Sequence, residues 1–383
     1  MLRIGRICSL LLVSTGLASA AMAVTPLQTT VTANAAAVTS GLLTITAPGP
    51  SLTRSIAGSV AVGDITVARF DTTTGILVGA RISVNTAVSA MAQVTGTVPA
   101  AGTGRTITAS TSLTGAVATA GVRIAGTTLS ASKSCSGGNC ANSPGNQQTT
   151  VTGSIVGASA VPLASLAAYA GAGTVAFTRT ASGSTSVANG PGTTSGTANG
   201  LFSFGSATPA SNVYSITYDH VNFANPSFAG ATTTIETTLD FGTLIRNRAS
   251  KTLNFSLFNI GNINTAGLSL TSITRQTNDA NFTSNLTTFT NGLDAGNGRD
   301  YSAIFAPTTQ GMATEMFTLV FGDFAAGGIG ARFYQLQLRA RANVIAEPMG
   351  VPEPATWAMM ILGFGLVGAT MRSRAHRSRA TAC

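Results

Sequence analysis

Apolar residues in this chain recur at every second position and almost nowhere at the 3.6-residue spacing of a helix. Asp64-Ile65-Thr66-Val67-Ala68-Arg69-Phe70 is typical. Such alternation sends successive side chains to opposite faces of a strand, so that one face is buried and the other wet. Only Val161–Tyr169, within the body, has a spacing that admits a short helix. Charged residues make up 9% of the chain, against about a quarter in an ordinary soluble protein. Lys133 and Lys251 are the only lysines. Thr, Ser, Ala, Gly and Asn dominate instead, so the wet faces must be solvated by hydroxyls and amides. Val, Ile, Thr and Phe are the residues that strands favour. The fold class read from these features is all-β.

Two β-sandwich domains are expected. In the first, residues 42–225, strands are read at Asp64–Phe70, Ile76–Val84, Met91–Val98, Thr106–Leu113, Val122–Leu129, Thr174–Phe177 and Val213–Tyr218. Short strands separated by Gly, Asn and Ser clusters suit an Ig-like or jelly-roll-like sandwich. Ser132–Gln148 and Ser182–Gly200 read as low-complexity loops, and residues 24–41 as an N-terminal linker. The second domain, residues 230–344, offers seven strands: Ile235–Phe241, Thr252–Asn259, Leu268–Thr274, Phe282–Phe289, Asp300–Phe305, Glu315–Phe321 and Arg332–Ala342. That count and spacing suit an Ig-like sandwich. Residues 345–350 follow as a linker. Val67-Ala68-Arg69-Phe70-Asp71 with Thr74-Gly75-Ile76-Leu77, and later Gly171–Val175, resemble the choice-of-anchor domains. Asp240-Phe241-Gly242, Phe258–Gly261, Ile304–Pro307 and Leu336–Ala342 resemble the abnormal-spindle/hydin-type Ig-like family. That second resemblance implies a scaffold or adhesion module without catalytic residues. The tract Ala325–Gly330 lengthens the last hairpin beyond that family's pattern.

The C-terminus breaks with the rest. Pro352-Glu353-Pro354 is followed by Trp357-Ala358. An apolar run through Ile361, Leu362, Phe364, Leu366, Val367 and Met371 leads to Arg372, Arg374, Arg377 and Arg379. Prolines hold the triplet extended, Trp357 suits the headgroup level, and the arginines mark the cytoplasmic end. From Trp357 to Met371 the run is shorter than the roughly 20 residues of a permanent span. Gly363, Gly365 and Gly368 weaken it further as a helix. The plain alternative is an ordinary membrane anchor. Residues 351–379 resemble the PEP-CTERM sorting signal, in the variant with Trp-Ala after the triplet. The resemblance implies recognition by exosortase, a membrane-embedded cysteine transpeptidase-like enzyme, with cleavage at or near the triplet. It also implies transient retention in the inner membrane of a Gram-negative cell and an association with exopolysaccharide or biofilm.

The N-terminus agrees with export. Arg3 and Arg6 precede the apolar stretch Ile7–Leu17, and small residues at Ala21 and Ala23 form a signal-peptidase site. Residues 1–23 read as a Sec signal peptide cut after Ala23, with Ala20 as the second choice. Net charge supports the same division. The full chain holds 21 basic and 12 acidic residues, +9. Setting aside six arginines (3, 6, 372, 374, 377 and 379) and Glu353 leaves 15 against 11, or +4. The basicity belongs to the targeting ends and is no nucleic-acid footprint. Arg246, Arg248 and Lys251 read as a solvated turn. Cys8 and Cys383 lie in segments to be lost, which leaves Cys135 and Cys140. Their short Gly-containing spacer and an oxidising compartment favour a disulfide.

No constellation for catalysis emerges. His220 beside Asp219 lacks a serine on a strained elbow, and Asp71, Asp279 and Asp294 sit where Asp bonds its own backbone in turns. The loops 278–281 and 293–298 offer oxygens but not the spaced carboxylates of a calcium loop. No metal, no cofactor and no catalytic residue are therefore expected. The favoured reading is a non-catalytic exported surface or matrix protein. The alternative is a secreted polysaccharide- or protein-degrading enzyme on the same tail. General acid–base chemistry usually needs ionisable side chains of the kind this body holds so few of.

Overall fold

The computed structural model describes residues 24–39, 43–97, 105–137, 147–205, 212–347 and 354–377. It is all-β apart from a 3-10 turn and one C-terminal helix, and the strands form two sandwiches.

In the first, the strands are β1 (Leu27–Asn34), β2 (Val38–Thr39), β3 (Leu43–Pro48), β4 (Thr53–Ala68), β5 (Ile76–Thr97) and β6 (Thr106–Thr119). They continue with β7 (Val122–Ser136), β8 (Gln148–Ala160), β9 (Thr174–Asn189), β10 (Ser195–Phe204) and β11 (Val213–Val221). β5 is the spine. Its 22 residues span about 70 Å at the rise of a strand. One edge of β5 pairs with β11 over Ile76–Asn85 and with β10 over Val88–Thr97, and the other edge pairs with β8. β1 extends the sheet beyond β11, and β2 and β3 beyond β10. The facing sheet runs β4-β9-β6-β7. Between them lie Val84, Val88, Leu113, Ile155, Phe177, Phe202, Phe204 and Tyr214.

Several expectations are corrected here. The stretches expected at Ile76–Val84 and from Met91 onward are parts of one strand as far as Thr97, because Thr86, Val88 and Ala90 keep the alternation going between them; Val98 lies outside the described residues. The N-terminal linker is in fact two strands. β1 is an exposed, Thr-rich edge strand without apolar alternation, and its hydroxyls bond across the pair, as Thr30 does with Thr217 at 2.9 Å. Ser132–Ser136 finish β7, and Ser182–Gly200 is mostly strand rather than loop. Glycine and hydroxyl residues there occupy the inner face, where the sheets approach closely. A Cβ on Gly200 would fall on the Thr185 hydroxyl and within 2.8 Å of that of Thr111. Those two buried hydroxyls bond each other at 3.3 Å. The apolar spacing at Val161–Tyr169 yields the 3-10 turn Leu163–Tyr169, which buries Leu166 and Tyr169; the Tyr169 hydroxyl donates to the Ala120 carbonyl at 2.7 Å.

The second sandwich pairs two smaller sheets. One holds β12 (Pro226–Ser227), β14 (Lys251–Asn259), β18 (Gly298–Phe305) and β16 (Phe282–Ser284). The other holds β13 (Glu236–Ile245), β20 (Phe333–Ile345), β19 (Gly311–Phe324), β15 (Gly267–Arg275) and β17 (Phe289–Leu293). β13 runs parallel to β20, and the remaining pairs are antiparallel. Phe241, Phe282 and Phe305 form an aromatic centre with ring centroids 4.6–5.8 Å apart. The strand expected at Phe282–Phe289 is two short strands in different sheets. Asn285 ends the first pairing, its side chain accepting from Ser302 N at 2.8 Å, and the chain then crosses over.

A buried ion pair shapes one end of this sandwich. Glu315 is 2% exposed, and Arg275 donates to it at 2.8 Å. The backbone N–H groups of Thr277 and Asp279 add bonds of 3.0 and 2.9 Å. Arg275 also donates to the carbonyls of Asp279 and Phe282. The loop 278–281 is thus wrapped around a protein cation and carboxylate. Burial pushes the Glu315 carboxyl up, but the donors outweigh it and hold the group at about 2.

Two outcomes follow from this packing. Gly200→Ala should cost about 1–3 kcal/mol, as overpacking does, read as a lower thermal midpoint; Ser203→Ala, on the wetter face, should change it by no more than about 0.5 kcal/mol. For Glu315 the folded value lies below the ordinary 4.5, so its contribution is full above that pH and is lost as pH falls toward about 2. Thermal melts across that range should show Glu315→Gln far below wild type at neutral pH and converging on it in acid. A constant gap at every pH would contradict the assignment.

Candidate functional site

Among the described residues the helix α1 (Pro354–Arg377) stands clear of the body, with none of its apolar window buried. Pro354 begins it, the position where a missing N–H costs nothing and a fixed φ suits the helix. Prolyl constraint therefore starts this helix instead of holding Pro354 extended. Ala355 to Arg374 make a 20-residue stretch with mean hydropathy 1.2 and nothing buried. That is long enough to cross a hydrocarbon core. The helix extends past the apolar run Trp357–Met371, with Ala355 and Thr356 before it and Arg372 to Arg374 after it.

Its side chains stand open to their surroundings. Ile361 is 69% exposed, Phe364 73% and Leu366 66%, and Trp357, Leu362, Val367 and Met371 are exposed too. Around Gly363, Gly365 and Gly368 there is open space. The helix also satisfies its own hydroxyls: Thr370 donates to the Val367 carbonyl at 2.8 Å and Ser373 to that of Thr370 at 2.9 Å. Unsatisfied polar groups are what a bilayer interior penalises. Ala358 lies one residue after Trp357 in the first turns, and Arg372, Arg374 and Arg377 in the last. Pro352, Glu353 and Arg379 lie outside the described residues, as do Cys140, Cys8, Cys383 and the leader 1–23 with Ala21 and Ala23.

The other expected positions are spread over the body. Cys135 is buried at the end of β7 among Ile107, Val187 and Ala198, and is disulfide-bonded. His220 rests its ring on Phe70, centroids 5.0 Å apart. Asp71 accepts from Thr73 N at 2.8 Å, and Asp279 from Asn281 N at 2.9 Å, as turn residues do. Asp294 lines a pocket together with Val24, Val221 and Phe324. Arg248 pairs with Glu347, and Lys251 donates to the Phe241 carbonyl at 2.7 Å, so this basic turn is tied down. Among the described residues no group of three His, Cys, Asp or Glu could hold a metal ion.

The sequence reading missed the joint between the sandwiches. Ala325–Gly330, the extra length in the last hairpin, lies across the first sandwich. Leu77 and Ile329 exchange backbone bonds of 3.0 and 2.9 Å. Arg332 donates to the Thr73 carbonyl at 2.9 Å and sits 3.7 Å from the centroid of Phe223. Asp323 gathers Ala224 N, Arg332 N and the Tyr334 hydroxyl at 2.7–3.0 Å. Burial raises its carboxyl above the ordinary range despite those donors. A tract too long for its family pattern was the available signal.

A search of the curated proteins finds no match for this chain. Among solved structures it is similar to the Vibrio cholerae VesB protease, at 16% identity, with 34% of this chain and 37% of that one covered and a TM-score of 0.22. It is similar to the ASH / PapD-like domain of human CEP192 at 11% identity, covering 29% and 82%, TM-score 0.23. The YadV chaperone follows at 14%, covering 35% and 58%, TM-score 0.22. Such low scores add nothing to what the strands show by themselves. At the C-terminus the match is of another kind: residues 350–375 match the PEP-CTERM protein-sorting motif. With its exposed apolar helix, that motif implies a substrate processed by exosortase and fits a membrane-held precursor destined for export.

Proposed function

We propose that this chain is a non-catalytic surface or matrix protein of a Gram-negative cell. It is exported through Sec under the leader 1–23, held in the inner membrane by α1, and released or displayed after exosortase cuts at the PEP triplet. The observation that carries this is the sorting motif joined to an apolar helix left bare by the body. The matured body then retains Cys135 and Cys140, which we pair with each other.

The non-catalytic reading is supported by how the body uses its carboxylates. Glu315 and Asp323 hold a loop and the inter-sandwich joint. Asp240 accepts from Gly242 N at 2.9 Å and from Arg341 at 2.8 Å, pinning β13 to β20. The family association of such tails points to exopolysaccharide or another biofilm component as the partner, met by the hydroxyl-rich faces of the first sandwich.

The PEP triplet and the helix should be separable. Replacing Pro352, Glu353 and Pro354 with alanine should leave an uncut precursor in the membrane fraction, because the helix still partitions into lipid. Deleting residues 351–383 should free the body without exosortase. Fractionation with immunoblotting reads both. Maturation of the triple-alanine protein at the wild-type rate would overturn the sorting assignment.

A further inference from the structure

The joint between the sandwiches contains a cavity of about 320 Å³. Val24, Pro26, Val221, Ala266 and Phe324 line it, and Asp294 is the one ionisable residue in its wall. Among the described residues the Asp294 carboxylate has no hydrogen-bond or ion-pair partner; only its backbone carbonyl is engaged, by Asn297 N at 3.2 Å. Val24 packs against Ile76, Val221 and Ala266, a cluster with residues from both sandwiches. The next residue fixes it there, Thr25 N donating to the Ile263 carbonyl at 3.0 Å. Val24 is also the residue that follows the small-residue site Ala21-Met22-Ala23.

We infer that leader removal is itself a structural step: it creates a Val24 α-ammonium in this cavity, which pairs with Asp294 and clamps the two sandwiches together. This rests on the export reading above. Hydrolysis adds water across the Ala23–Val24 bond. Ala23 leaves as a carboxylate on the leader, and the Val24 nitrogen becomes an amine. With an ordinary pKa of about 7.7–8.0 that amine takes up a proton near neutrality. Before the cut the same nitrogen is a neutral amide carrying Ala23 and offers Asp294 no counter-charge. After the cut a cation stands in the same half-buried, largely apolar wall as the Asp294 carboxylate, where opposite charges attract more strongly than in bulk water.

The test compares two forms of the chain, each otherwise complete to its C-terminus and kept in detergent. One starts at Val24 and the other at Ala21, both freed from a fusion by a protease that cuts just before the chosen residue. Thermal unfolding should place the Val24 form about 2–4 °C above the Ala21 form. Asp294→Asn should abolish that gap, as a double-mutant cycle requires of a direct pair. Equal midpoints, or a gap that survives Asp294→Asn, would overturn the clamp. N-terminal sequencing of exported protein from the native host supplies the second arm. Val24 as first residue supports the maturation step, and Ala21 overturns it. Retained Met1 would overturn the export reading, whatever the two purified forms show.

Discussion

Strand β5 is the constraint on which the larger sandwich rests. A strand of this length leaves a long row of N–H and C=O groups that must all be paired. It meets that demand with β10 and β11 end to end along one edge and β8 along the other. The strands of its own sheet take their register from that ladder, while β4, β9, β6 and β7 keep a ladder of their own. The facing sheet can approach closely because glycines such as Gly183 and Gly200 stand at the contact and hydroxyls bond one another inside. A body of this composition thus stays folded with few charges.

The two sandwiches bury their own cores, and among the described residues none covers the apolar window of α1. An exposed row of Ile361, Leu362, Phe364 and Leu366 is costly in water and favourable in lipid. The chain therefore divides into a self-sufficient wet part and a membrane part joined by the short segment carrying the PEP triplet. Cutting that segment separates them without disturbing a strand, since β20 ends at Ile345. The geometry suits a tail used once.

Much of this was legible in the sequence. Alternation at Ile235–Phe241 and Thr252–Asn259 located strands to within a few residues, because large apolar side chains mark the inward positions. The sorting tail was legible because its order of triplet, apolar run and arginines is local. What failed was reading small residues. Gly196, Ala198 and Gly200 alternate inward as faithfully as Phe202 and Phe204, yet by composition they resemble a loop. The helix starts ahead of the apolar run because Pro354 serves as its first residue rather than holding the chain extended. The Ala325–Gly330 joint was invisible because its partner, Leu77, lies in the other sandwich and no local pattern announces a contact across the fold.

The central claim is that the bare helix belongs to a precursor and is absent from the product. Intact-mass measurement of the protein released or displayed by an exosortase-bearing host tests it directly. The account predicts a mass lacking the residues from about the PEP triplet onward, with the body intact through β20. A released or displayed species that still carries Trp357 to Met371 would contradict it.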